Sequence, residues 1–451
     1  MKQHKRRMEI FSFHDSTGIV SHLEAMAQKG WALEKISNNI WHYNRIEPKN
    51  LRYAVVYLPS SSEFDPGPTA ESRELQEFCS RAGWVQVGNQ AQMHIFCNQD
   101  PNPVPIDTDP ELQVEVIHKA MKKNYIPSQI TMLILGIVQV LLCVMRFHTN
   151  PITFLRSNAN WVGLMCWILV IAMSVVDLTK YFTWRKKAVL AAREGEFLPT
   201  NGSQKFQKCC LVMVLGGMAL WLINLADAKE ATIVSISFLY AFLLFGSVFG
   251  IKALMKKRGA SRGATRAAVW ITAFAMAFAL MGGMTFFAIT MANENWFAPE
   301  VETYEWNGRT FERHSDKIPL RIEDLTDGGD FLYSTQLIRS DSIFLTHISA
   351  TQDAVMGADP SVMFGYNIYD IRFPLLYGMV KDAVLKGYDD PGDEFIPVDI
   401  QIEGAQVSRH CRWGEPWNTL LVCYDSRIIL LHPGWEMSEE QIRTAAKILA
   451  P

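Results

Sequence analysis

Two cysteines near the end of the chain are the first residues whose spacing suggests chemistry. Cys411 and Cys423 lie on either side of residues 412–417, a segment typical of a hairpin connection. A disulfide needs two Cα atoms within about 7 Å, and strands joined by a turn can provide this in a suitable register. In an oxidising compartment the two residues are therefore a candidate disulfide, and the alternative is a pair of free thiols.

Oxygen-rich and histidine-containing segments are the next candidates. The acidic loop 388–394 could offer oxygen ligands to Ca²⁺, but it lacks the spacing of a known calcium loop, which favours a solvated turn. No metal-ligand spacing with a cysteine or carboxylate is found for His314, His347, His410 or His432. No hydrolase, metalloprotease or phosphate-loop motif occurs. The sequence therefore offers no catalytic, cofactor-binding or metal-ligating residue, and we do not expect an enzyme.

The elements that carry these residues flank five apolar segments. A helix needs about 20 residues to cross a hydrocarbon core about 30 Å thick. The candidate spans cover residues 126–145, 161–176, 208–226, 232–251 and 269–291. They are apolar all round, whereas the helices of a soluble protein would be amphipathic. We therefore predict an integral, multi-pass membrane protein that is in contact with the lipid bilayer.

Charge is distributed unevenly around these spans. The segments before the first span, after the second and after the fourth are rich in Lys and Arg, whereas the other connections are poor in both. From Ala292 to the end, 26 Asp and Glu oppose 13 Lys and Arg. Because basic segments are retained on the cytoplasmic side, the pattern predicts a cytoplasmic N-terminus and an extracytoplasmic C-terminus. No apolar stretch of signal-peptide length follows the basic N-terminus.

The spans themselves contain few polar groups. Apart from edge residues they contain Gln139, Asn224, serines and threonines, and no central Asp, Glu, Lys, Arg or His. Ion- and proton-coupled transporters usually need such ionisable groups along their path. The composition therefore argues against active transport. The glycine pairs 216–217 and 282–283 favour close helix packing.

Residues 7–98 contain the order strand–helix–strand–strand twice. Gly30 and Gly83 end the two helices, since glycine suits the left-handed position after a helix. The first copy is predicted as a strand over 8–13, a helix over 17–29, and strands over 31–36 and 40–45 joined by a turn at 38–39. The second is predicted as a strand over 51–58, a helix over 69–82, and strands over 84–87 and 91–97 joined by a turn at 88–89. The pattern predicts a compact α+β domain.

The glycine–tryptophan pairs after these helices carry a resemblance to a known family. The stretches ending at Gly30-Trp31 and Gly83-Trp84, with residues 53–57 between them, resemble the domain-of-unknown-function family 2812 over about residues 8–98. Its members are mostly bacterial, and many continue into transmembrane helices. The resemblance implies no established activity. It does imply an association with PadR-like repressors, and hence regulation or envelope-stress sensing. We expect Trp31 and Trp84 to fill the domain core.

The remaining soluble segments complete the predicted layout. Residues 99–125 form a proline-rich linker and an amphipathic juxtamembrane helix over 110–124, which lies along the inner leaflet or serves as a plain connector. The C-terminal region alternates apolar and polar residues over 331–338, 342–348, 398–407, 420–424 and 428–431. A helix is predicted over 361–386, broken at Pro374. Ser438 caps a final helix, because acidic residues follow it directly.

The predicted fold class is therefore a multi-domain membrane protein. Its parts are a cytoplasmic α+β domain (1–98), the linker (99–125), five transmembrane helices (126–291) and an acidic extracytoplasmic α+β domain (292–451). The favoured function is a sensory or regulatory protein that links the outer domain to a cytoplasmic partner, with no direct nucleic-acid binding. One alternative is an accessory or permease-like subunit of a membrane complex. Another is a membrane enzyme that acts through the outer domain.

Overall fold

Five long apolar helices lie between an N-terminal region rich in β-strands and a C-terminal β-sheet domain in the computed structural model. The structure describes residues 3–37, 40–223, 228–293, 302–306, 309–326, 332–354 and 363–451. Each of the five helices is long and apolar enough to cross a membrane. The coarse prediction of a multi-pass membrane protein with folded regions before and after the spans is therefore confirmed.

The N-terminal region contains two three-stranded sheets. The first comprises strands β1 (His4–Met8), β2 (Trp31–Ser37) and β3 (Ile40–Arg45) in the order β1-β3-β2, with helix α1 (Ser16–Gln28). The second comprises β4 (Arg52–Tyr57), β5 (Val85–Gln90) and β6 (Met93–Asn98) in the order β4-β6-β5, with helix α2 (Ala70–Arg81). Both helices end as expected, because Gly30 and Gly83 each have φ of +80°.

Two local predictions in this region differ from the structure. The first strand lies over β1 rather than over 8–13, and residues 9–13 run without regular structure toward α1. The second hairpin turns at Ala91, which has φ of +51°, rather than at 88–89, because β5 continues to Gln90. The turn predicted at 38–39 lies outside the described residues.

The juxtamembrane helix forms, but its apolar face packs on protein. Helix α3 (Pro110–Ala120) passes through a π-helical turn (Met121–Tyr125) directly into α4 (Ile126–Thr149). Val114, Ile117 and Ala120 join the core formed by α1 and the two sheets. The buried face of this helix is therefore not exposed to a lipid surface, and the segment forms part of the folded N-terminal region.

The other long helices extend past the predicted spans. They are α6 (Asn158–Arg193), α7 (Gln204–Ile223), α8 (Ala228–Lys257) and α9 (Arg262–Asn293), and a short helix α5 (Pro151–Leu155) precedes α6. Along the second half of α6, Asp177, Tyr181, Trp184 and Ala188 are buried at spacings of three and four residues. This spacing is that of one face of an α-helix. The end of α6 therefore adds a wall to the N-terminal core.

The C-terminal domain is built on a seven-stranded antiparallel sheet of order β12-β13-β14-β15-β11-β10-β9. A hairpin, β7 (Glu302–Trp306) and β8 (Arg309–Arg313), precedes it. Helix α11 (Glu439–Ile448) begins with the predicted Ser438 cap and packs on one face of the sheet, while α10 (Tyr377–Leu385) packs on the other. The strands are β9 (Tyr333–Asp341), β10 (Leu345–Ala354), β11 (Met363–Ile371), β12 (Asp393–Pro397), β13 (Ala405–Arg412), β14 (Glu415–Tyr424) and β15 (Arg427–Pro433).

Two predictions in this domain were wrong. The helix expected over 361–386 begins only at Tyr377, because Met363–Ile371 forms an inner strand between β10 and β15. An inner strand is covered on both faces and so lacks a clean polar–apolar alternation. The strand expected over 398–407 is instead the connection between β12 and β13 together with the start of β13.

The chain divides into two compact units. The first contains the described residues of 1–139 and 165–294, and the second contains those of 140–164 and 295–451. The first turns of α6 therefore belong to the unit that holds the C-terminal sheet, whereas the rest of α6 belongs to the unit that holds the N-terminal sheets.

Candidate functional site

Asp15 anchors a buried polar cluster in the first unit. It is the N-cap of α1, where its Oδ1 accepts a hydrogen bond from the Gly18 N–H at 3.0 Å. Its carboxylate also packs against the backbone of Gly202, where an added Cβ would lie 2.1 Å from Oδ2. The same is true of Gly18, at 2.2 Å. Only glycine leaves room for this carboxylate on both sides.

The segment after α6 is bound to the start of α1 by reciprocal hydrogen bonds. The Thr17 N–H donates to Thr200 Oγ1 at 2.8 Å, and the Thr200 N–H donates to Thr17 Oγ1 at 3.0 Å. Thr200 Oγ1 also donates to Asp15 Oδ1 at 3.2 Å. Lys180 reaches the same segment, where its Nζ donates to the Gly202 carbonyl at 2.7 Å. The α6–α7 connection is therefore fixed to the N-terminal region at several points.

Asp177 on α6 receives two serine hydroxyls from segments distant in sequence. Ser12 Oγ donates to its Oδ1 at 2.5 Å, and Ser203 Oγ donates to the same oxygen. Gln207 Nε2 donates to Ser203 Oγ at 3.0 Å. Asp177 is 1% exposed, and its Oδ2 has no hydrogen-bond partner among the described residues. Burial of a carboxylate oxygen without a hydrogen-bond partner costs free energy, so the net free energy that holds Asp177 in this position is small.

His14 lies fully buried beside this carboxylate. Its ring makes an edge contact with Tyr181 at 5.3 Å. Neither ring nitrogen has a well-formed hydrogen bond within the described part of the chain, although the Asn201 backbone is close enough to favour the charged ring. Burial lowers the pKa of His14, while Asp177 and Asp15 act in the opposite direction and Lys180 adds to the lowering. The net effect is a lowered pKa for His14, because burial outweighs the neighbouring carboxylates.

We call these residues the junction cluster, and its members are Ser12, His14, Asp15, Asp177, Thr200, Ser203 and Gln207. They come from the strand-to-helix connection of the N-terminal region, from α6, from the α6–α7 connection and from the start of α7. The groups are almost all engaged with one another. The described residues contain no set of three or more His, Cys, Asp or Glu that could hold a metal ion. The arrangement is therefore suited to holding two segments together in a way that depends on charge.

A second polar contact joins the N-terminal region to the membrane helices. Arg262, at the start of α9, donates from Nε and Nη2 to the Asp65 carboxylate at 2.5 and 2.9 Å, and also to the Ser60 carbonyl at 2.7 Å. Lys252 on α8 pairs with Glu63 at 2.7 Å. We call residues 58–68, between β4 and α2, the acidic loop. Its carboxylates are held by cations from two different helices.

The predicted signature residues occupy different environments. Trp84 is 4% exposed, packs with Cys79 and Phe96, and donates from Nε1 to the Val104 carbonyl at 2.9 Å. Trp31 is only half-buried and lies at the edge of the core. The charged ends of Lys5 and Arg45 lie over its ring at 5.2 and 5.1 Å. The structure therefore places one tryptophan inside the fold and the other in a cation–π contact at its surface.

The two candidate disulfide cysteines are far apart in the C-terminal sheet. In the β13–β14 hairpin, Cys411 lies opposite Pro416, whereas Cys423 lies opposite Gln406. Cys423 is thus seven residues beyond Pro416 on the same strand, or about 23 Å at 3.3 Å per residue. Both cysteines are free thiols. This register is incompatible with the candidate disulfide, because the two residues belong to different cross-strand pairs.

The acidic segment 388–394 and the histidines of the C-terminal domain contribute one buried pair. His410 Nε2 lies 3.2 Å from Asp393 Oδ1, and both side chains are 5% exposed. Phe395 and Tyr388 pack against the same histidine ring at 5.3 and 5.0 Å. His347 lies elsewhere, stacked on Tyr369. The structure therefore brings His410 to Asp393 of the segment 388–394, among aromatic side chains.

Sequence reasoning missed the central residues of the junction cluster. Asp177 directly follows the predicted second span, which ends at residue 176. Its partners Ser12 and Ser203 are 165 and 26 residues away. The available signal was an acidic residue that ends an apolar run and is followed by Lys180 one turn later. That signal marks a position but does not identify a partner.

These observations define a class of protein. The chain is a multi-pass membrane protein whose N-terminal region is built onto the ends of its own membrane helices. Residues 16–128, about a quarter of the chain, match the family described as "Protein of unknown function (DUF2812)". The match covers α1 through the start of α4, and it confirms the resemblance carried by the glycine–tryptophan pairs. Comparison with curated proteins and with solved structures found no match.

Proposed function

We propose that this protein is a sensory or regulatory membrane protein, in which the state of the C-terminal domain is passed through α6 to the N-terminal domain. One observation carries the proposal, namely that the two ends of this single helix are built into the cores of two different units. At its start, Trp161 packs on Phe344 at 4.3 Å between ring centroids, and Asn158 Oδ1 accepts from the Ile343 N–H at 3.0 Å. At its end, Tyr181 and Trp184 complete the N-terminal core.

The proposal includes a direction across the membrane. The alternation of basic segments supports a cytoplasmic N-terminal domain and an extracytoplasmic C-terminal domain in a bacterial plasma membrane. The contacts of the acidic loop support the same orientation. Its cationic partners Lys252 and Arg262 lie between the fourth and fifth predicted spans, in a segment that the retention of basic residues assigns to the cytoplasm. We further infer that the two strand–helix–strand–strand units are repeats that form one α+β domain.

The proposed partner of the N-terminal domain is a cytoplasmic protein. The family resemblance points to a functional association with a PadR-like repressor, without direct contact between this chain and nucleic acid. The chain is proposed to act by binding rather than by catalysis. The buried polar groups of the junction cluster are mostly engaged with each other rather than directed at a substrate-sized space.

The test compares variants at the two ends of α6 in the full-length chain, reconstituted in lipid nanodiscs. Trp161→Ala should increase backbone hydrogen exchange at residues 200–207, and Asp177→Ala should do so directly. Trp270→Ala serves as the control, because that side chain is 55% exposed on α9. Unchanged exchange at 200–207 in Trp161→Ala would show that α6 transmits nothing. In cells, full rescue of a deletion strain by a chain lacking residues 1–98 would overturn the regulatory role.

A second function, an accessory subunit of a membrane complex, is favoured by one observation. The most apolar parts of Phe238–Lys257 and Arg262–Phe287 contain no residue buried within the described structure. Membrane helices with so little internal packing are available to another membrane protein. Co-purification of a stoichiometric membrane partner in mild detergent would support this function, whereas a monomer that retains its fold and its cellular response would argue against it.

A further inference from the structure

Strand β4 has one edge with no strand paired to it among the described residues. In the sheet order β4-β6-β5, its strand partner within the described part of the chain is β6. The Leu58 N–H donates to the Gln92 carbonyl at 2.7 Å, which fixes the alternation of the antiparallel ladder. Even-numbered residues of β4 therefore direct their backbone groups toward β6. Tyr53, Val55 and Tyr57 direct theirs outward, and no hydrogen bond to those groups is found in the part of the chain that the structure describes.

A groove runs beside this edge. It has a volume of about 720 Å³ and is lined by five consecutive residues of β4, from Arg52 to Val56. A cavity over the face of a strand would contact alternate residues, because successive side chains point to opposite faces. Contact with consecutive residues means that the groove follows the edge. Its other walls come from the start of α1, from Phe197 and from residues 103–108.

One carboxylate in the groove has no positive partner. Asp107 is half-buried, and its Oδ2 accepts a hydrogen bond from Gln113 Nε2 at 3.1 Å. No ion pair involving Asp107 is present among the described residues, and burial raises the pKa of this carboxyl. Arg52, which also lines the groove, is instead directed to Glu24 at 3.7 Å and to the Pro101 carbonyl at 3.0 Å. The uncompensated charge in the groove is therefore negative.

We propose that this groove binds an extended peptide segment of a partner protein, which adds as a strand to β4 and places a lysine or arginine side chain on Asp107. The unpaired backbone of the edge supplies the main-chain hydrogen bonds, as in other cases of strand addition. Val20, Phe197 and Ile106 supply apolar walls for alternate side chains. The inference deepens the proposed function, since it gives the N-terminal domain a site for its partner.

The binding test uses the full-length chain in nanodiscs and a synthetic peptide of about nine residues, which is a usual strand length. The peptide alternates valine with threonine and carries one central lysine in the threonine series. Two further versions are N-methylated, one at every odd amide and one at every even amide. Only one of these two sets of amides can face β4 in an added strand. We therefore expect the unmethylated peptide to bind saturably. One methylated version should bind at least about tenfold more weakly, whereas the other should retain the affinity of the unmethylated peptide.

The variant Asp107→Asn tests the charge. It should weaken binding of the lysine peptide by about tenfold but leave binding of a version with norleucine in place of lysine unchanged, because a charge-assisted contact is lost only with the lysine peptide. Asp109→Asn, two residues away on the cap of α3, is the matched control and should change neither. Equal effects of the two N-methylation patterns would overturn strand addition. So would binding of lysine methyl ester as tight as that of the peptide, which would indicate a site for a small organic cation.

The absence of saturable binding up to about 1 mM peptide would also overturn the proposal, because that concentration corresponds to only about 4 kcal/mol of binding free energy. These outcomes are separate from the failure of the proposed function. Peptide binding can be present in a chain whose Trp161→Ala variant shows no transmission along α6, and transmission can be present in a chain that binds no peptide.

Discussion

Gly202 and Gly18 are the residues that allow Asp15 to occupy its position. An added Cβ at either glycine would lie within about 2.2 Å of the carboxylate oxygen, far inside the contact distance of real atoms. The carboxylate caps α1 and receives Thr200, so it cannot move aside without losing both contacts. The exclusion of any side chain at these two positions therefore maintains the junction cluster.

Gly202→Ala is expected to destabilise the first unit by about 1–3 kcal/mol, the usual cost of overpacking a close contact. The measurement is the midpoint of thermal unfolding in detergent, together with hydrogen exchange at residues 12–18. Gly163→Ala on α6 is the control, since a Cβ there meets nothing within 4 Å. A Gly202→Ala chain as stable as Gly163→Ala would show that Asp15 is not held in the way described.

His14 gives the junction cluster a dependence on pH. Burial lowers its pKa, whereas Asp177, Asp15 and the Asn201 backbone oppose this and Lys180 reinforces it. We call the state in which residues 10–18 and 198–207 are bound together the docked state. A histidine whose pKa is lowered in the docked state binds fewer protons there than when these segments separate, where its pKa is near 6.5. The docked state is therefore fully favoured above about pH 7 and loses stability as the pH falls.

We expect hydrogen exchange at residues 10–18 and 198–207, corrected for its intrinsic pH dependence, to rise between about pH 7.5 and about pH 5.5. His14→Asn and His14→Phe should both abolish most of this rise. His148→Asn, which removes an exposed histidine, should leave it intact. If the rise persists unchanged in both His14 variants, another group is responsible for it.

At the scale of elements, the acidic loop is held by charges from α8 and α9. The Arg262 side chain is 41% exposed and that of Asp65 is 11% exposed, so solvent weakens the pair. Reversal of one charge should therefore change the free energy of local opening by about 1 kcal/mol or less. A contact of this strength can be released by a modest competing interaction.

Asp65→Arg and Arg262→Asp are each expected to increase hydrogen exchange over residues 58–68, because each places like charges together. The double variant should restore most of the protection. The control swaps the two residues of an exposed ion pair on α3, Glu115 and Lys119, which are 2.7 Å apart. This change should not affect the acidic loop. If the double variant is as open as the worse single variant, the pair does not hold the loop.

Features of neighbouring residues made several elements predictable, whereas other elements and contacts could not be predicted from them. Ser438 with its following acids predicted α11, because a helix cap is formed by neighbouring residues. β11 was mistaken for a helix, because a strand covered on both faces lacks the alternation that identifies strands at a sheet surface. The junction cluster could not be predicted, because the contact of Asp177 with Ser12 spans 165 residues and depends on how α6 packs.

At the scale of the whole molecule, the orientation in the membrane can be tested with exposed positions. The native cysteines of the two soluble regions serve poorly, since Cys79 and Cys411 are buried and Cys97 and Cys423 are only partly exposed. Leu375 is 96% exposed in the C-terminal domain, and Phe78 is 66% exposed in the N-terminal region. In a cysteine-free background, we expect an impermeant maleimide to label Leu375→Cys in intact cells and Phe78→Cys only after lysis.

The reverse labelling pattern would invert the orientation and with it the proposed direction of signalling. Labelling of both positions from outside would instead imply an even number of spans. Either result would leave the fold of each unit unchanged, because the contacts within a unit do not depend on which side of the membrane it occupies.

The π-helical turn Met121–Tyr125 has a consequence for changes in chain length. A π turn holds one residue more than the α-helical turn it replaces. Deletion of one residue there would restore a continuous α-helix and keep the buried face of α3 in phase with α4. The same deletion within the regular helix α6 would rotate everything beyond it by about 100° and move Trp184 out of the core. The entry to the first span is thus a place where the loss of one residue can be absorbed without a change in helix phase.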